Sequence, residues 1–231
     1  MAEQFRFERD RAYQGLVEII MSGAANSEEP LSERKLADSL EIGRTPVREA
    51  MRDLVRDGLL EVSPARGTYV RSFTPQEVRE LYEVRQGLEG LAAELAAQRG
   101  ATPELKAYGP LFRHMLEHPD DHDPDEVYDT GARFHLDLCG AAGNRQLLNI
   151  YQPLRLRFQL ALALPRYFDH ARVRESVAEH LAILEAIEAG DGSAARRLIC
   201  EHLSRGVDVR TRIITEMAKP HQLETDTGKP L

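Results

Sequence analysis

The chain has 231 residues, of which 42% are hydrophobic and 29% are charged, which is enough apolar material for a packed core and unlike a disordered protein. The formal net charge of −8 excludes a globally basic, histone-like polymer binder but leaves room for a local basic surface. The two cysteines, Cys139 and Cys200, form neither a CxxC pair nor a disulfide framework, which is typical of a reducing compartment.

The N-terminal segment has alternating charges and lacks the apolar region of a secretory signal. No stretch approaches the roughly 20 apolar residues that are needed to span a bilayer. We therefore predict a soluble, cytoplasmic protein without a membrane partner.

Short segments separated by Gly, Pro and Ser make up the first third of the chain. Their apolar spacing predicts three helices followed by a β-hairpin, over residues 7–22, 33–40, 46–57 and 59–70. Ser32 is the predicted N-cap of the second helix. For the third helix, Thr45 is the predicted cap, Pro46 the first helical residue and Gly58 the stop.

After residue 73 the sequence shows long helical periodicity with few breaks. Six helical stretches are predicted, over residues 75–99, 103–117, 124–142, 145–164, 170–189 and 192–218. Because short Gly- and Pro-containing loops join them, we expect an antiparallel, all-α bundle. The predicted organisation is mostly α-helical: an N-terminal domain of three helices and a hairpin over 1–72, a helical domain over 73–218 and a flexible tail over 219–231.

Basic side chains cluster at the start of the third predicted helix, in a helix-turn-helix arrangement that suits the major groove of DNA. Arg44, Thr45 and Arg48 lie at the N-terminal end, where recognition helices meet base edges. The guanidinium fork of arginine can bond O6 and N7 of guanine together. Arg52 and Arg56 continue the same helix face, but acidic neighbours favour intrahelical ion pairs for these two.

Two further basic positions suit contacts with the DNA backbone. Arg34 lies at the start of the second helix, where a phosphate would be within reach. Arg66 and Gly67 form the hairpin tip, which would reach a phosphate or the adjacent minor groove. An ordinary exposed turn arginine is the alternative interpretation of Arg66. Residues 31–72 carry eight Lys or Arg and seven Asp or Glu, so the acidity of the chain lies elsewhere.

The segment LSERKLADSLEIGRTPVREAMRDLVRDGLLEVSPARGTYV resembles the winged helix-turn-helix domain of the GntR family of bacterial transcription regulators. The resemblance implies that the wing at Arg66 and Gly67 contacts DNA together with four residues of the helical part: Arg34, Arg44, Thr45 and Arg48. Gly43 departs from the pattern, because relatives usually carry Ser there and its phosphate-bonding hydroxyl is missing.

Three histidines lie in apolar-periodic segments of three different predicted helices: His135, His180 and His202. Facing helices could bring three imidazoles to one metal ion and leave positions open for water or a ligand. A single histidine on a helix is more often a satisfied core residue, so that interpretation is favoured for each one taken alone, and the sequence does not show whether the three converge.

Most of residues 75–205 resembles the FCD ligand-binding domain of the FadR subfamily, in the segments EVRELYEVRQGLEGLAAELAA, ARFHLDLCGAAGNRQLL and EHLAILEAIEAGDGSAARRLICEHL. The resemblance implies a divalent metal held by these three histidines and an aspartate. The aspartate position, four residues before His135, is Gly131 in this chain. Three imidazoles still suit Zn²⁺ or Ni²⁺. Alternatively, the metal has been lost and the histidines bond the effector directly.

Arg85 matches a recurrent arginine of this domain family that can pair with an acid group of a ligand. An intrahelical ion pair with Glu89, four residues later, is the alternative. We therefore predict a DNA-binding regulator, a repressor, whose two winged domains bind a pseudo-palindromic operator as a homodimer. The family resemblance implies that its effector is a small organic acid. The rival hypotheses are a hydrolase or lyase that uses the three-histidine site, and a regulator with a purely structural metal.

Overall fold

The computed structural model describes residues 2–162 and 170–217, with side chains described for 6–161 and 172–215. These residues contain nine α-helices, one 3₁₀ turn and a two-stranded hairpin. In chain order they are α1 (Ala2–Met21), α2 (Glu33–Leu40), α3 (Arg44–Arg56), β1 (Leu60–Ser63), β2 (Gly67–Val70), α4 (Pro75–Arg99), α5 (Pro103–Glu117), the 3₁₀ turn (Pro119–Asp121), α6 (Pro124–Ala141), α7 (Arg145–Leu162), α8 (His170–Glu188) and α9 (Gly192–Met217).

The predicted fold class is confirmed, and most element boundaries agree with the sequence periodicity. The first helix begins earlier than predicted, at Ala2, because its charged N-terminal turns carry no apolar stripe that the periodicity could detect. The predicted flexible tail, residues 219–231, lies outside the described residues, as do the last residues of the predicted fourth and sixth bundle helices.

The start of α3 corrects one prediction. Gly43, with φ −62° and ψ 151°, is the N-cap, and its carbonyl accepts the first intrahelical bond from the Val47 N–H at 3.4 Å. Thr45 therefore lies inside the first turn and does not cap the helix, and Pro46 is its third residue rather than its first. Pro46 is still tolerated, because the first N–H groups of a helix have no intrahelical partner. Ser32 caps α2 as predicted and accepts from the Lys35 N–H.

The hairpin forms the wing beside the three N-terminal helices. β1 and β2 pair antiparallel, with Leu60 opposite Val70. Gly67 has φ +120°, a conformation that favours glycine, and a Cβ at this position would lie 3.2 Å from the Cβ of Pro30. The Leu31 N–H donates to the carbonyl of Thr68 at 2.7 Å, which ties the wing to the segment before α2.

The described residues form two hydrophobic cores. The first joins α1, α2, α3 and the hairpin around buried residues that include Leu16, Val47, Leu54 and Leu60. The second lies within the α4–α9 bundle, where α4 packs along α9 and buried aromatic and aliphatic side chains fill the centre. Leu156 and Leu160 of α7 pack against the first core, so one helix of the bundle contacts the N-terminal unit. Among the described residues, no helix combines the length and apolar character required of a transmembrane span.

Candidate functional site

Three helices of the bundle bring three imidazoles to one point. His135 lies on α6, His180 on α8 and His202 on α9, and all three are buried. The Nε2 atom of His180 lies 3.2 Å from Nε2 of His135 and 3.2 Å from Nε2 of His202. The convergence that the sequence left undecided is therefore present in the structure.

Two glutamates, one fully buried and one half-buried, orient two of these imidazoles. Glu89 of α4 is fully buried, and its Oε2 atom lies 2.6 Å from Nδ1 of His135. Glu179 of α8 has its Oε2 atom 2.6 Å from Nδ1 of His202. A carboxylate on one ring nitrogen fixes the tautomer, since Nδ1–H donates to the carboxylate and the lone pair is left on Nε2.

The glutamates themselves are held ionised by their arginine and histidine partners. Burial alone would raise the pKa of Glu89, but the guanidinium of Arg85 and the imidazole of His135 outweigh it and hold this pKa at about 2. Glu179 also has its pKa held at about 2, because hydrogen bonds from His202 and Arg172 outweigh burial. Both carboxylates are thus available as acceptors near neutral pH.

Two of the three imidazoles, those of His180 and His202, are held neutral. Burial lowers the pKa of His202 to about 4 in spite of its bond to Glu179. Burial and the two neighbouring histidines lower the pKa of His180 well below its usual range. Neutral imidazoles are the form that binds metal ions.

The donor set fits a divalent cation. With Nδ1 of His135 and His202 bonded to carboxylates, each presents an Nε2 lone pair to Nε2 of His180. A neutral His180 can donate one hydrogen at most, so it cannot satisfy both lone pairs, whereas a cation can. Nitrogens bound to tetrahedral Zn²⁺ at about 2.0–2.1 Å lie roughly 3.3–3.4 Å apart, close to the two Nε2 separations observed here.

At Gly131, where the family pattern has an aspartate, the edge of the His180 ring lies against the backbone. A Cβ at Gly131 would lie 2.9 Å from Cε1 of His180, closer than van der Waals contact allows. The His180 ring packs against Phe112 and Phe134, which limits its freedom to move away. Asp129 is exposed and is not among the described residues that line the adjacent cavity, so it does not replace the absent ligand.

A cavity of about 150 Å³ adjoins the three histidines. Its lining combines apolar side chains with tyrosines, Gln159 and Ser176. Among the described residues, its cationic lining consists of four arginines from four helices: Arg85, Arg155, Arg172 and Arg210. Such a lining suits a small anionic ligand, since the guanidinium fork matches a carboxylate.

The structure agrees with both interpretations of Arg85, the intrahelical ion pair and the position beside a ligand cavity. Its Nε donates to Oε1 of Glu89 at 2.9 Å, the predicted intrahelical ion pair, and its side chain also lines the cavity. The guanidinium carbon lies 5.2 Å from the ring centroids of Tyr82 and Phe158, which restrains its position.

The N-terminal unit presents the predicted basic positions at its surface. Arg44, Thr45 and Arg48 are exposed at the start of α3, and Arg34 is exposed at the start of α2. Arg66 and Gly67 are exposed at the tip of the hairpin. The intrahelical ion pairs expected for two later arginines are confirmed: Arg52 pairs with Glu49 and Arg56 with Asp53.

Sequence reasoning missed contacts that three acidic residues make with the site residues. Glu33 accepts two bonds from Nε and NH2 of Arg48, at 3.1 and 2.9 Å, so it fixes the direction of that side chain. Glu89 and Glu179 were not recognised as partners of histidines. The i+4 spacing to Arg85 pointed to Glu89, but no sequence signal joined it to His135, 46 residues away.

Both units match family models. Residues 8–70 match the model described as "Bacterial regulatory proteins, gntR family", and residues 80–205 match the model described as "FCD domain".

Two relatives each match three quarters or more of the chain. The uncharacterized HTH-type transcriptional regulator YdhC of Bacillus subtilis (strain 168) is 28% identical over 209 residues, 88% of this chain and 91% of the relative. The probable D-xylose utilization operon transcriptional repressor of Paenarthrobacter nicotinovorans is 30% identical over 175 residues, 76% of each protein. The solved structure of Escherichia coli McbR/YncC has the same fold, with a TM-score of 0.75 at 23% identity over 89% of this chain and 97% of that one.

The family and these relatives are transcriptional regulators, which confirms the prediction that the chain is not an enzyme. The hydrolase or lyase hypothesis is accordingly set aside. The two domain resemblances inferred from the motifs are confirmed, whereas the FadR subfamily assignment stays a prediction. The chain belongs to the GntR family of bacterial transcriptional regulators and combines its winged helix-turn-helix domain with an FCD domain.

Proposed function

We propose that this regulator is a repressor that binds a pseudo-palindromic operator as a homodimer and changes its operator affinity when a small organic acid enters the bundle. The observation that carries the effector hypothesis is the arginine-lined cavity beside three converging Nε2 atoms. The name of the Paenarthrobacter relative, a probable transcriptional repressor, supports repression.

The proposed DNA-contacting surface is formed by the start of α3, Arg34 of α2 and the wing at Arg66 and Gly67. The side chains of Arg44 and Arg48 are 63% and 47% exposed, which leaves both guanidinium groups accessible to a duplex. Arg48 is already oriented by Glu33, so less side-chain freedom is lost when it meets a base. We assign base contacts to these two arginines and to Thr45, and phosphate or minor-groove contacts to the other positions.

We propose that the histidine triangle holds a divalent metal, Zn²⁺ or Ni²⁺. His135, His180 and His202 would supply ring nitrogens, and Glu89 and Glu179 would orient two of the rings. Bound there, the cation would supply a Lewis-acidic site for a carboxylate oxygen of the effector. With no aspartate at position 131, the chain contributes one negative charge fewer, which favours an anionic ligand.

Helix α7 contacts both the cavity and the DNA-binding unit, which supports a coupling between effector binding and DNA binding through this helix. Arg155, Phe158 and Gln159 line the cavity, while Leu156 and Leu160 of the same helix pack against the core of the DNA-binding unit. A ligand that moves this helix would therefore change how the winged domain is held. The change in operator affinity cannot exceed the difference in effector affinity between the two arrangements.

The DNA-binding proposal is tested with Arg44→Ala and Arg48→Ala, titrated against labelled DNA from upstream of the gene at fixed salt. Each variant should lose about 1–3 kcal/mol of binding free energy for the specific site, roughly 5- to 150-fold. Arg52→Ala is the matched control, because Arg52 is exposed on the same helix but lies beyond the N-terminal end to which the base contacts are assigned. Unchanged binding by both test variants would exclude the assigned contacts.

The metal proposal is tested by elemental analysis of the purified full-length chain. We expect one transition-metal ion per chain in the wild type and none in His180→Ala. His114→Ala is the control, since His114 is exposed and lies outside the triangle. A wild-type protein that neither retains nor takes up stoichiometric metal would refute the metal site and leave the histidines to bond the effector directly. Thermal stabilisation by organic acids then measures effector binding in either case.

A further inference from the structure

We infer that the effector is a dianion: a short-chain dicarboxylic acid, with one carboxylate at the histidine triangle and the other between Arg155 and Arg210. This inference rests on the proposed function, because it assumes that the cavity binds an organic acid. Two observations support it: the charge balance of the cavity, and the positions of the cavity arginines that have no carboxylate partner among the described residues.

Two of the cavity arginines are neutralised by the protein itself. Arg85 donates to the fully buried Glu89, and NH1 and NH2 of Arg172 donate to both oxygens of Glu179 at 2.8 and 3.0 Å. Each of these arginines thus forms an ion pair with a carboxylate of the chain, at 2.9 Å for Arg85 with Glu89 and 2.8 Å for Arg172 with Glu179. These two arginines therefore add little net charge for a ligand to balance.

The other two cavity arginines, Arg155 and Arg210, have no such partner among the side chains that the structure describes. Within residues 6–161 and 172–215, Arg155 and Arg210 form no ion pair with a carboxylate, although both are half-buried and line the cavity. Arg210 lies beside the buried phenol of Tyr82, a neutral neighbour. Burying a guanidinium without a counter-charge is costly, so an anionic group of the ligand that pairs with both would be strongly favoured.

The two anionic positions lie at different levels of the bundle. Arg210 follows His202 by eight residues on α9, which is about 12 Å along the helix axis. Arg155 follows Tyr151 by one turn on α7, and the hydroxyl of Tyr151 donates to Glu89 beside the triangle. The backbone positions of both arginines therefore lie away from the histidines. The flexible side chain of arginine allows each guanidinium to extend part of the way back towards the histidine triangle. A cavity of about 150 Å³ then limits the spacer to a few carbons.

The experiment compares acids that differ only in their second carboxylate, by calorimetric titration of the zinc-loaded full-length protein. The pairs are malonate with propionate, succinate with butyrate, and glutarate with valerate. At least one diacid should bind about tenfold or more tightly than its matched monoacid. Arg210→Gln should reduce that preference to less than about threefold while changing monoacid affinity little.

Two further variants keep the result interpretable. Arg155→Gln tests the second cation independently, and it should weaken diacid binding in the same direction as Arg210→Gln. Arg197→Gln is the matched control, because Arg197 is an exposed arginine of α9 that pairs with Glu201 away from the cavity. Its diacid affinity should equal that of the wild type.

The outcomes separate this inference from the function on which it rests. Equal binding of diacids and monoacids by the wild type would overturn the dianion and keep an organic-acid effector. A diacid preference that survives in both Arg210→Gln and Arg155→Gln would overturn the assigned subsite. Binding of no acid in either series would overturn the organic-acid proposal, and the dianion with it.

Discussion

Replacing Glu89 by Gln tests the buried network beside the histidines. Glu89 is fully buried, and its Oε1 atom accepts from Nε of Arg85 and from the hydroxyl of Tyr151, each at 2.9 Å. Its Oε2 atom lies 2.6 Å from Nδ1 of His135. Gln removes the charge and offers one acceptor oxygen and one donor nitrogen, so it cannot accept from all three partners.

The expected cost is large because the guanidinium of Arg85 would lose its counter-charge in a buried site. Breaking a buried ion pair by removing one partner costs about 3–5 kcal/mol of unfolding free energy. The same substitution frees the His135 ring from its fixed tautomer, and loss of such a partner weakens metal binding about 10- to 100-fold.

Both effects are measured on the full-length chain. Urea denaturation in the presence of a chelator reports the free energy of unfolding, and competition with a chromogenic chelator reports zinc affinity. Glu94→Gln is the matched control on the same helix. Its ion pair with Arg196 is partly exposed, with 33% and 54% of the two side chains accessible, so it should cost no more than about 1 kcal/mol and leave zinc binding unchanged.

A Glu89→Gln protein as stable as Glu94→Gln would show that the buried network does not need its charge. Full stability loss with wild-type zinc affinity would show instead that Glu89 supports the fold but does not orient His135. Either result would refute the corresponding half of the argument.

Three further results are expected. Gly67→Ala should lower the unfolding free energy by about 1 kcal/mol or more through its positive φ, whereas Gly87→Ala, in an open mid-helix position, should be neutral or stabilising in the same denaturation assay. Gly131→Ala should lose stability and zinc affinity despite a better helix propensity, because its Cβ would lie 2.9 Å from His180; wild-type values for both would contradict the packing argument. In the metal-free protein the pKa of His202 is lowered from 6.5 to about 4. Between these two pH values the unfolded chain therefore binds a proton that the folded chain does not. The unfolding free energy should therefore fall by about 2 kcal/mol from pH 6.5 to pH 5, and a flat pH profile would exclude a neutral buried imidazole.

Local sequence patterns determined most of the fold. Apolar periodicity, caps and Gly or Pro at the junctions set the helices within a few residues, because helix formation depends on neighbours three and four positions apart. Thr45 shows the limit of this reasoning: a Thr before Pro is a good cap signal, yet the extended backbone of Gly43 allows the helix to begin earlier.

The chemistry of the site depended on tertiary structure. The three histidines could be named from their segments and from a family resemblance, but their Nε2 separations required three helices to be packed together. The pairing of Glu89 with His135 and the unpaired state of Arg155 and Arg210 within the described residues could not be inferred from spacing. Hydrophobic burial decides which helix faces meet, and only that packing determines which charges share a cavity and which are left for a ligand.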